Sequence, residues 1–332
     1  MEIRKPTYYD GFRCLAGACP DSCCKEWTVQ VDEKSASLYQ ALPGPLGDDL
    51  RRVMAVEDGD TVLTLTPDGR CPMWRDDGLC RIQAQLGEES LCHTCQQFPR
   101  LRHDYGDFAE LGLELSCPEA ARLILSENHH WVTQSIPGGE EPEYDTDAMA
   151  ILLRSRGAFL SFLDSEQYPV AQSLAILLLY GYAVQEELDG GEEAHLSPAD
   201  ALATAQQLAA VGDMGAILDF YRSLEVLTPV WQQRLCDPDP VKWTEAFRPI
   251  VRYFLERYWL QAVSDYDLIG RVKLTIASCL VIKFLGGDLL NMAQLYSKEI
   301  ENDADNIDAI LDGAYTVPAL ADIGLLGLLL EE

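Results

Sequence analysis

The chain has 332 residues, 48% of them apolar, and a formal net charge of -29 at pH 7. Residues 1–125 carry 13 Lys and Arg against 21 Asp and Glu, and the other 207 residues carry 12 against 33. Such a surface repels phosphate backbones and anionic membranes, so nucleic acid is the least expected ligand. The acidity favours lysine-rich protein partners, although it could equally serve solubility alone. No apolar stretch approaches the roughly 20 residues of a spanning helix, and we expect no membrane span.

The first region, residues 1–135, contains nine of the eleven cysteines and many Pro and Gly residues, so its elements should be short. It begins Met-Glu-Ile-Arg-Lys-Pro with no apolar leader, and we expect a cytoplasmic protein with reduced thiols rather than a secreted disulfide scaffold. Residues 61–66 alternate as Thr-Val-Leu-Thr-Leu-Thr and predict a strand, in a hairpin with residues 110–115. Residues 119–126, with Pro118 at the first turn, predict a helix.

Residues 136–147 are rich in Pro, Gly and acidic side chains and predict a linker or long loop. From residue 148 to 332 the apolar residues recur at helical spacing, which predicts an all-helical domain. Ser197 and Pro198 form a typical helix start. Further helices are predicted at residues 214–225, 244–262, 266–284, 289–301 and 303–314. The sequence thus predicts a mainly α protein, with a small loop-rich cysteine-cluster domain of few short strands followed by an irregular all-helical domain.

The spacing of the cysteines indicates a metal or iron-sulfur site. Cys19 and Cys23 are separated by three residues, and Cys92 and Cys95 by two, so each pair can present two sulfurs from one turn. The neighbours Cys23 and Cys24 point apart in most backbone conformations. We therefore expect one of them to be a ligand and the other to pack or to serve a second site.

Spacing alone does not distinguish zinc from an iron-sulfur cluster, since both take four thiolates. Zinc sites usually consist of two regular pairs separated by a spacer. The irregular pairs and the Cys23-Cys24 doublet favour a cluster, and a zinc site that only stabilises a loop-rich domain is the alternative.

Six ordered motifs in the first region resemble the flagellin lysine-N-methylase family and the wider group of cysteine-cluster proteins described as zinc or iron chelators. These are Phe12-Arg13-Cys14, Ala18-Cys19-Pro20-Asp21-Ser22-Cys23-Cys24-Lys25-Glu26-Trp27, Cys71-Pro72-Met73-Trp74, Gly78-Leu79-Cys80-Arg81-Ile82, Thr94-Cys95-Gln96-Gln97-Phe98-Pro99-Arg100 and Leu115-Ser116-Cys117-Pro118-Glu119-Ala120. The segment from Tyr296 to Asn302 resembles the family's closing motif, which tends to carry His where Asn302 stands.

The resemblance implies a bacterial cytosolic enzyme that methylates lysine side chains of flagellin, with S-adenosylmethionine as methyl donor and a four-iron four-sulfur cluster. The family's cysteine positions correspond to Cys14, Cys19, Cys23, Cys24, Cys71, Cys80, Cys95 and Cys117. Cys92 follows that pattern less closely. Eight thiolates exceed the four that one cluster requires. A non-catalytic adaptor that binds zinc or iron is the alternative function.

Two familiar motifs for binding S-adenosylmethionine are absent from the sequence. No strand-turn-helix segment carries a Gly-x-Gly-x-x-Gly motif. The triplet Cys-x-x-x-Cys-x-x-Cys is incomplete, because Glu26 stands where the third cysteine would follow Cys19 and Cys23. Asn128-His129-His130 faintly resembles an Asn-His pair of other lysine methyltransferases, but we interpret it as a helix end with exposed imidazoles.

A lysine amine must lose its proton before it can attack a methyl sulfonium, so the site needs desolvation, a base or both. Tyr9 and Asp10 before Cys14, and Glu26 after the doublet, are the candidate catalytic groups. Trp27 or Trp74 could contact a sulfonium through the ring face. Arg100 could hold a cofactor carboxylate or, more simply, balance the charge of a thiolate cluster.

Overall fold

The computed structural model describes residues 1–57, 59–126 and 129–331. The described residues form a mainly α protein, as the sequence predicts. Their strands are β1 (Glu2–Pro6), β2 (Val29–Gln30), β3 (Met54–Glu57), β4 (Asp60–Leu63), β5 (Arg100–Asp104), β6 (Phe108–Leu113) and β7 (Trp131–Ser135). Their α-helices are α1 (Glu33–Ala41), α2 (Pro45–Val53), α3 (Arg81–Leu86), α4 (His93–Gln97), α5 (Pro118–Ser126), α6 (Thr146–Asp164), α7 (Val170–Leu188), α8 (Pro198–Leu208), α9 (Met214–Ser223), α10 (Pro229–Cys236), α11 (Arg248–Tyr258), α12 (Leu268–Leu285), α13 (Leu289–Ile300), α14 (Ala304–Thr316) and α15 (Asp322–Leu330).

The strands form two small sheets, and the predicted hairpin between residues 61–66 and 110–115 is wrong. β4 belongs to a three-stranded sheet of order β2-β4-β3, where Thr61 pairs with Val56. β6 lies in the other sheet, of order β5-β6-β1-β7, and its Phe108 pairs in parallel with Glu2. The alternating pattern of residues 61–66 correctly indicates a strand, but each strand pairs with a partner that its own pattern does not identify.

The described residues form two hydrophobic cores, and N-terminal cysteines pack in or against both of them. The small core consists of residues from the β2-β4-β3 sheet and helices α1 to α4, with Tyr39, Leu50 and Met73 almost fully buried. The large core extends from Phe12 and Phe108 through α5 into the helical half. Thus α5 and the β5-β6-β1-β7 sheet pack with the helices that follow residue 146, whereas the segment between β2 and α4 has a core of its own.

Helix α12 is the centre of the helical half. Nearly all of its residues are buried, including Arg271 and Lys273, and it packs against α7, α11, α13 and α14. A helix that is apolar on all sides is expected at the centre of a helical domain. Among the described residues no helix is both long and apolar enough to span a bilayer.

A buried charged network fixes the segment before α5 against α11 and α13. Arg257 lies 3.0 Å from Glu301 and 3.1 Å from Glu114. The hydroxyls of Tyr253 and Tyr258 donate to Glu301 at 3.0 and 2.7 Å. Because buried charges are stable only when they are paired and hydrogen-bonded, this network holds the start of α5 in a defined position.

The interpretation of His129 as an exposed imidazole is wrong. Its side chain is 3% exposed, and Nε2 lies 2.9 Å from Glu256 on α11. Trp131 donates to the same carboxylate at 2.9 Å. Because β7 pairs with β1, the segment that contains His129 follows the sheet and packs against α11. The imidazole ring is buried there. Asn128 lies outside the described residues.

Glu299 on α13 should make the stability of the protein depend on pH. Burial raises its pKa to about 7, and it accepts the Leu227 N–H at 2.8 Å. Because the folded protein favours the protonated carboxyl, Glu299 contributes fully to stability below its ordinary pKa of 4.5. That contribution is lost as the pH rises through 7. We expect Glu299→Gln to stabilise the fold at pH 8, by up to about 3 kcal/mol, and to change little at pH 4.5. Urea unfolding at the two pH values measures this. An equal difference between variant and wild type at both would contradict it.

Candidate metal centre

A cleft of about 400 Å³ opens where the cysteine-rich loops meet the C-terminal end of α13. Its walls come from the loop after Phe12, the turn before α3, the end of α4 and the start of α5, while Lys298 and Asn302 border it from the helical half. The cysteines that line it are Cys14, Cys19, Cys23, Cys24, Cys80, Cys95 and Cys117. Cys71 and Cys92 are buried in the small core beside it. The fold therefore gathers all nine N-terminal cysteines in one region.

Four of these residues, which we call the outer thiol set, are Cys14, Cys19, Cys23 and Cys117. Cys14 and Cys23 are exposed, and Cys19 and Cys117 are half-buried. Cys19 lies within electrostatic reach of Cys14 and Cys23, and Cys117 within reach of Cys19 and Cys23. The start of α5 thus adds its cysteine to the three of the N-terminal loop.

Backbone N–H groups point at the sulfurs of the outer thiol set. The donors are Ala16 to Cys14 at 3.3 Å, Asp21 to Cys19, and Glu119 and Ala120 to Cys117. Hydrogen bonds to sulfur stabilise a thiolate and tune an iron-sulfur cluster. The loop and the first turn of α5 are therefore suited to hold thiolates.

The other five, which we call the inner thiol set, are Cys24, Cys71, Cys80, Cys92 and Cys95. All five pack in or against the small core. The Cys71 N–H donates to the Cys24 carbonyl at 2.8 Å, and Cys92 and Cys95 share a sulfur hydrogen bond across the first turn of α4. The two sets meet at the Cys23-Cys24 dipeptide, where the two side chains share a hydrogen bond.

The thiols differ in acidity because they donate protons to one another. The hydrogen bond from Cys24 lowers the pKa of Cys23 to about 7 and raises that of Cys24. The bond from Cys95 likewise lowers the pKa of Cys92 and raises that of Cys95. A cation that replaced the shared protons would bind both sulfurs of a pair as thiolates and release protons.

The thiols in residues 1–57 and 59–126 are of the kind that binds metals, but they do not surround a single point as the ligands of one ion would. No three His, Cys, Asp or Glu side chains of the described chain converge as the ligands of a single ion. A four-iron four-sulfur cluster is larger than one ion, and its thiolates stand further apart. Thiolates are its usual ligands, and the outer thiol set supplies four of them, the number that one such cluster takes.

Lys298 on α13 joins the cysteine loop to the helical half. Its ammonium group, whose side chain is 5% exposed, lies 2.9 Å from Asp21 and 2.7 Å from Glu26. Gln294, one turn earlier, donates to Asp21 at 3.2 Å and to the Ser116 carbonyl at 2.6 Å. Burial works against ionisation of Asp21, but the Lys298 ammonium holds the pKa of that carboxyl below its usual value. The loop that carries Cys19, Cys23 and Cys24 is thereby fixed against α13.

Aromatic and basic side chains form the rest of the cleft wall. The Trp27 indole donates to the Cys23 carbonyl at 2.8 Å, and its ring lies 5.6 Å from that of Phe98. Arg100 lines the cleft, with its guanidinium 5.1 Å from the Phe12 ring. The cleft therefore offers ring faces and a cation close to the outer thiol set.

The other sequence-predicted site residues lie beside the cleft rather than in its lining. Asp10 pairs with Lys5 at 2.7 Å at the surface, and the Tyr9 ring lies 6.0 Å from the same ammonium. Glu26 faces Lys298 in a neighbouring cleft of about 460 Å³. Trp74 packs against the small core, with Arg70 over its ring at 5.0 Å.

The structure places Cys92 and Lys298 at the site, although little in the sequence indicated either residue. Cys92 follows the cysteine pattern only loosely, yet it is 2% exposed and hydrogen-bonded to Cys95. Lys298 lies in the closing motif far along the chain, and that motif was the one signal that could have indicated it. Asn302, at the end of the same motif, also lines the cleft.

The chain is similar to a flagellar biosynthetic protein and to lysine methylases. The chain is 32% identical over 140 residues to the flagellar biosynthetic protein FliU of Salmonella muenchen, a match that covers 38% of this chain and 79% of FliU. It is 32% identical over 140 residues to the lysine-N-methylases of Salmonella typhimurium and Salmonella choleraesuis. Those matches cover 38% of this chain but only 33% of each methylase. No family model matches the sequence, and no solved structure matches the fold.

Proposed function

This chain belongs to the family of FliU and the lysine-N-methylases, and we propose that it transfers methyl groups from S-adenosylmethionine to lysine side chains of flagellin or another lysine-rich protein. The observation that carries the proposal is the cleft, in which seven cysteines, three aromatic rings and two guanidinium groups meet. The chain spans only a third of the lysine-N-methylases it matches, so their activity enters as a proposal for this protein.

We assign a four-iron four-sulfur cluster to the outer thiol set. These four thiols face the cleft, and backbone N–H groups bond to three of their sulfurs. When bound, the cluster would supply iron as a Lewis acid and redox centre beside the methyl donor. The protein's part is to hold the sulfurs, limit access of water and position the two substrates.

The cleft has the size and lining for S-adenosylmethionine. Its volume of about 400 Å³ lies within the roughly 300–1,000 Å³ of small-molecule sites. The faces of Trp27 and Phe98 would attract the positive sulfonium, and the Arg100 guanidinium would bind the carboxylate of the cofactor. These residues would orient the methyl group toward the open side of the cleft.

The approach of a lysine is favoured by carboxylates that already bind two ammonium groups, those of Lys298 and Lys25. Asp21 and Glu26 hold Lys298, and Asp21 remains ionised because Lys298 lowers its pKa. An ionised Asp21 attracts a substrate ammonium but is a weak base, so loss of the substrate proton depends on desolvation. The acidic surface of residues 126–332 would guide a lysine-rich protein toward this region.

An assay with a labelled methyl group tests the proposal. The protein is purified without oxygen and incubated with labelled S-adenosylmethionine and purified flagellin. We expect label on lysine side chains, located by peptide mass spectrometry, and no transfer to flagellin whose lysines have been acetylated. Absence of label from flagellin and from other lysine-rich proteins, with a protein that retains its iron, would refute the proposal.

The limited span of the match favours one alternative, an adaptor that binds metal and a partner without methyl transfer. It would bind flagellin in the same experiment but leave it unlabelled. Binding without transfer therefore separates the two functions.

A further inference from the structure

A second cleft, of about 460 Å³, adjoins the cysteine-lined cleft. It lies between the loop of residues 15–26, the start of α5, α10 and α13. Five residues line both cavities, and these are Leu15, Asp21, Pro118, Glu119 and Lys298. A ligand in the second cleft would therefore be separated from the cysteine-lined cleft only by side chains that border both.

We propose that the second cleft binds the polypeptide segment that carries the target lysine, and that it selects segments with a large apolar side chain next to that lysine. The inference rests on the proposed function, because it assigns the acceptor side of the same reaction. The methyl donor would occupy the cysteine-lined cleft of about 400 Å³, so the acceptor needs a separate space that opens onto it. The volume of the second cleft, about 460 Å³, lies within the roughly 300–1,000 Å³ of ligand sites.

Apolar side chains from three segments of the chain line the second cleft. Leu15 is 38% exposed and Val230 is 56% exposed, although both are large aliphatic residues. Leu290 and Leu295 of α13 are half-buried and line the same cavity. Exposed apolar groups that converge on a concave surface are typical of a binding site, because an apolar side chain of a partner leaves water when it enters.

Two polar side chains of the second cleft are available to a bound main chain. Asn291 and Arg234 line it, and neither side chain makes a hydrogen bond or an ion pair with any residue that the structure describes. A guanidinium donates to peptide carbonyls, and an amide both donates to carbonyls and accepts from N–H groups. The cleft therefore combines an apolar lining with groups that can bond a peptide backbone.

The boundary between the two clefts is suited to an ammonium group. Asp21 and Glu26 lie there and hold Lys298 and Lys25. The Lys25 side chain is 30% exposed, and an ion pair of this kind contributes little to stability, so a substrate lysine can take the place of Lys25 at Asp21. The target lysine would thus lie at the boundary, and its neighbours in the substrate would lie along the apolar lining.

Peptide binding to the whole protein tests the inference. Two short fluorescent peptides are identical except that the central lysine is flanked by leucine in one and by serine in the other. We expect the leucine peptide to bind at least about tenfold more tightly, because a leucine side chain is buried in the cleft. Anisotropy measured without a methyl donor gives both affinities.

Val230→Asn locates the preference in the second cleft. It should weaken binding of the leucine peptide by about threefold or more and leave the serine peptide unchanged. With labelled S-adenosylmethionine it should raise the KM for the leucine peptide by the same factor and leave kcat unchanged. Val211→Asn is the matched control, since Val211 is 91% exposed and lies outside both clefts. Because both valines are exposed, both variants should keep the urea midpoint of the wild type.

The outcomes separate this inference from the proposed function. Equal affinity for the two peptides, or a leucine preference that Val230→Asn leaves unchanged, would overturn the inference even if methyl transfer occurs. Leucine-dependent binding that Val230→Asn weakens, without any methyl transfer, would support the peptide site and contradict the proposed function.

Discussion

Replacing Cys19 by Ser should reduce methyl transfer by more than about 100-fold, because a lost thiolate removes both a cluster ligand and its hydrogen-bonded position. Cys19 is central to the outer thiol set, within reach of Cys14 and Cys23 and bonded by the Asp21 N–H. The measurement is labelled methyl transfer per chain, together with iron content and visible absorption.

Cys236 provides the matched control for this substitution. It is an exposed cysteine at the end of α10, outside both thiol sets. Cys236→Ser should therefore keep wild-type iron and activity. If Cys19→Ser kept both as well, the outer thiol set would not be the cluster site.

The second large effect is expected at Lys298, where Lys298→Met should destabilise the protein by about 3 kcal/mol. The substitution leaves Asp21 and Glu26 facing each other in a partly buried site, with the more exposed Lys25 as their remaining cation. Removal of one partner from a buried ion pair costs roughly 3–5 kcal/mol, and partial exposure of the two carboxylates places this case at the low end. The urea midpoint and the iron content report the change in stability and the loosening of the cysteine loop.

Lys25 separates this effect from simple loss of charge. Its ammonium lies 2.9 Å from Asp21 and 3.5 Å from Glu26, but its side chain is 30% exposed. Lys25→Met should therefore cost less than about 1 kcal/mol. If the two substitutions lowered the free energy of unfolding equally, burial of Lys298 would not control the docking of α13 on the cysteine loop.

Local signals in the sequence predicted the elements that local chemistry determines. Pro118 marks the first turn of α5, Ser197 and Pro198 mark the start of α8, and helical spacing identified α9 and α11 to α14. These features depend on the conformational preferences of neighbouring residues, which a single sequence displays.

Features that depend on distant partners were not predicted. The pairing of β6 with β1 joins residues far apart in the chain, as does the contact of Lys298 with Asp21. Asp32 likewise accepts an N–H from Ser35, a local cap that the sequence can suggest, and another from His93, which it cannot. Spacing grouped the cysteines by proximity in sequence, whereas the fold places Cys117 with Cys19 and Cys23.

The iron dependence of methyl transfer tests the central claim most directly. Transfer from labelled S-adenosylmethionine to flagellin is measured with one preparation before removal of iron by a chelator, after removal, and after anaerobic restoration of iron and sulfide. The account predicts full activity, loss to background and recovery, in proportion to the iron bound per chain. Unchanged transfer by iron-free protein would contradict a cluster-dependent methylase, even though the enzyme class would stand.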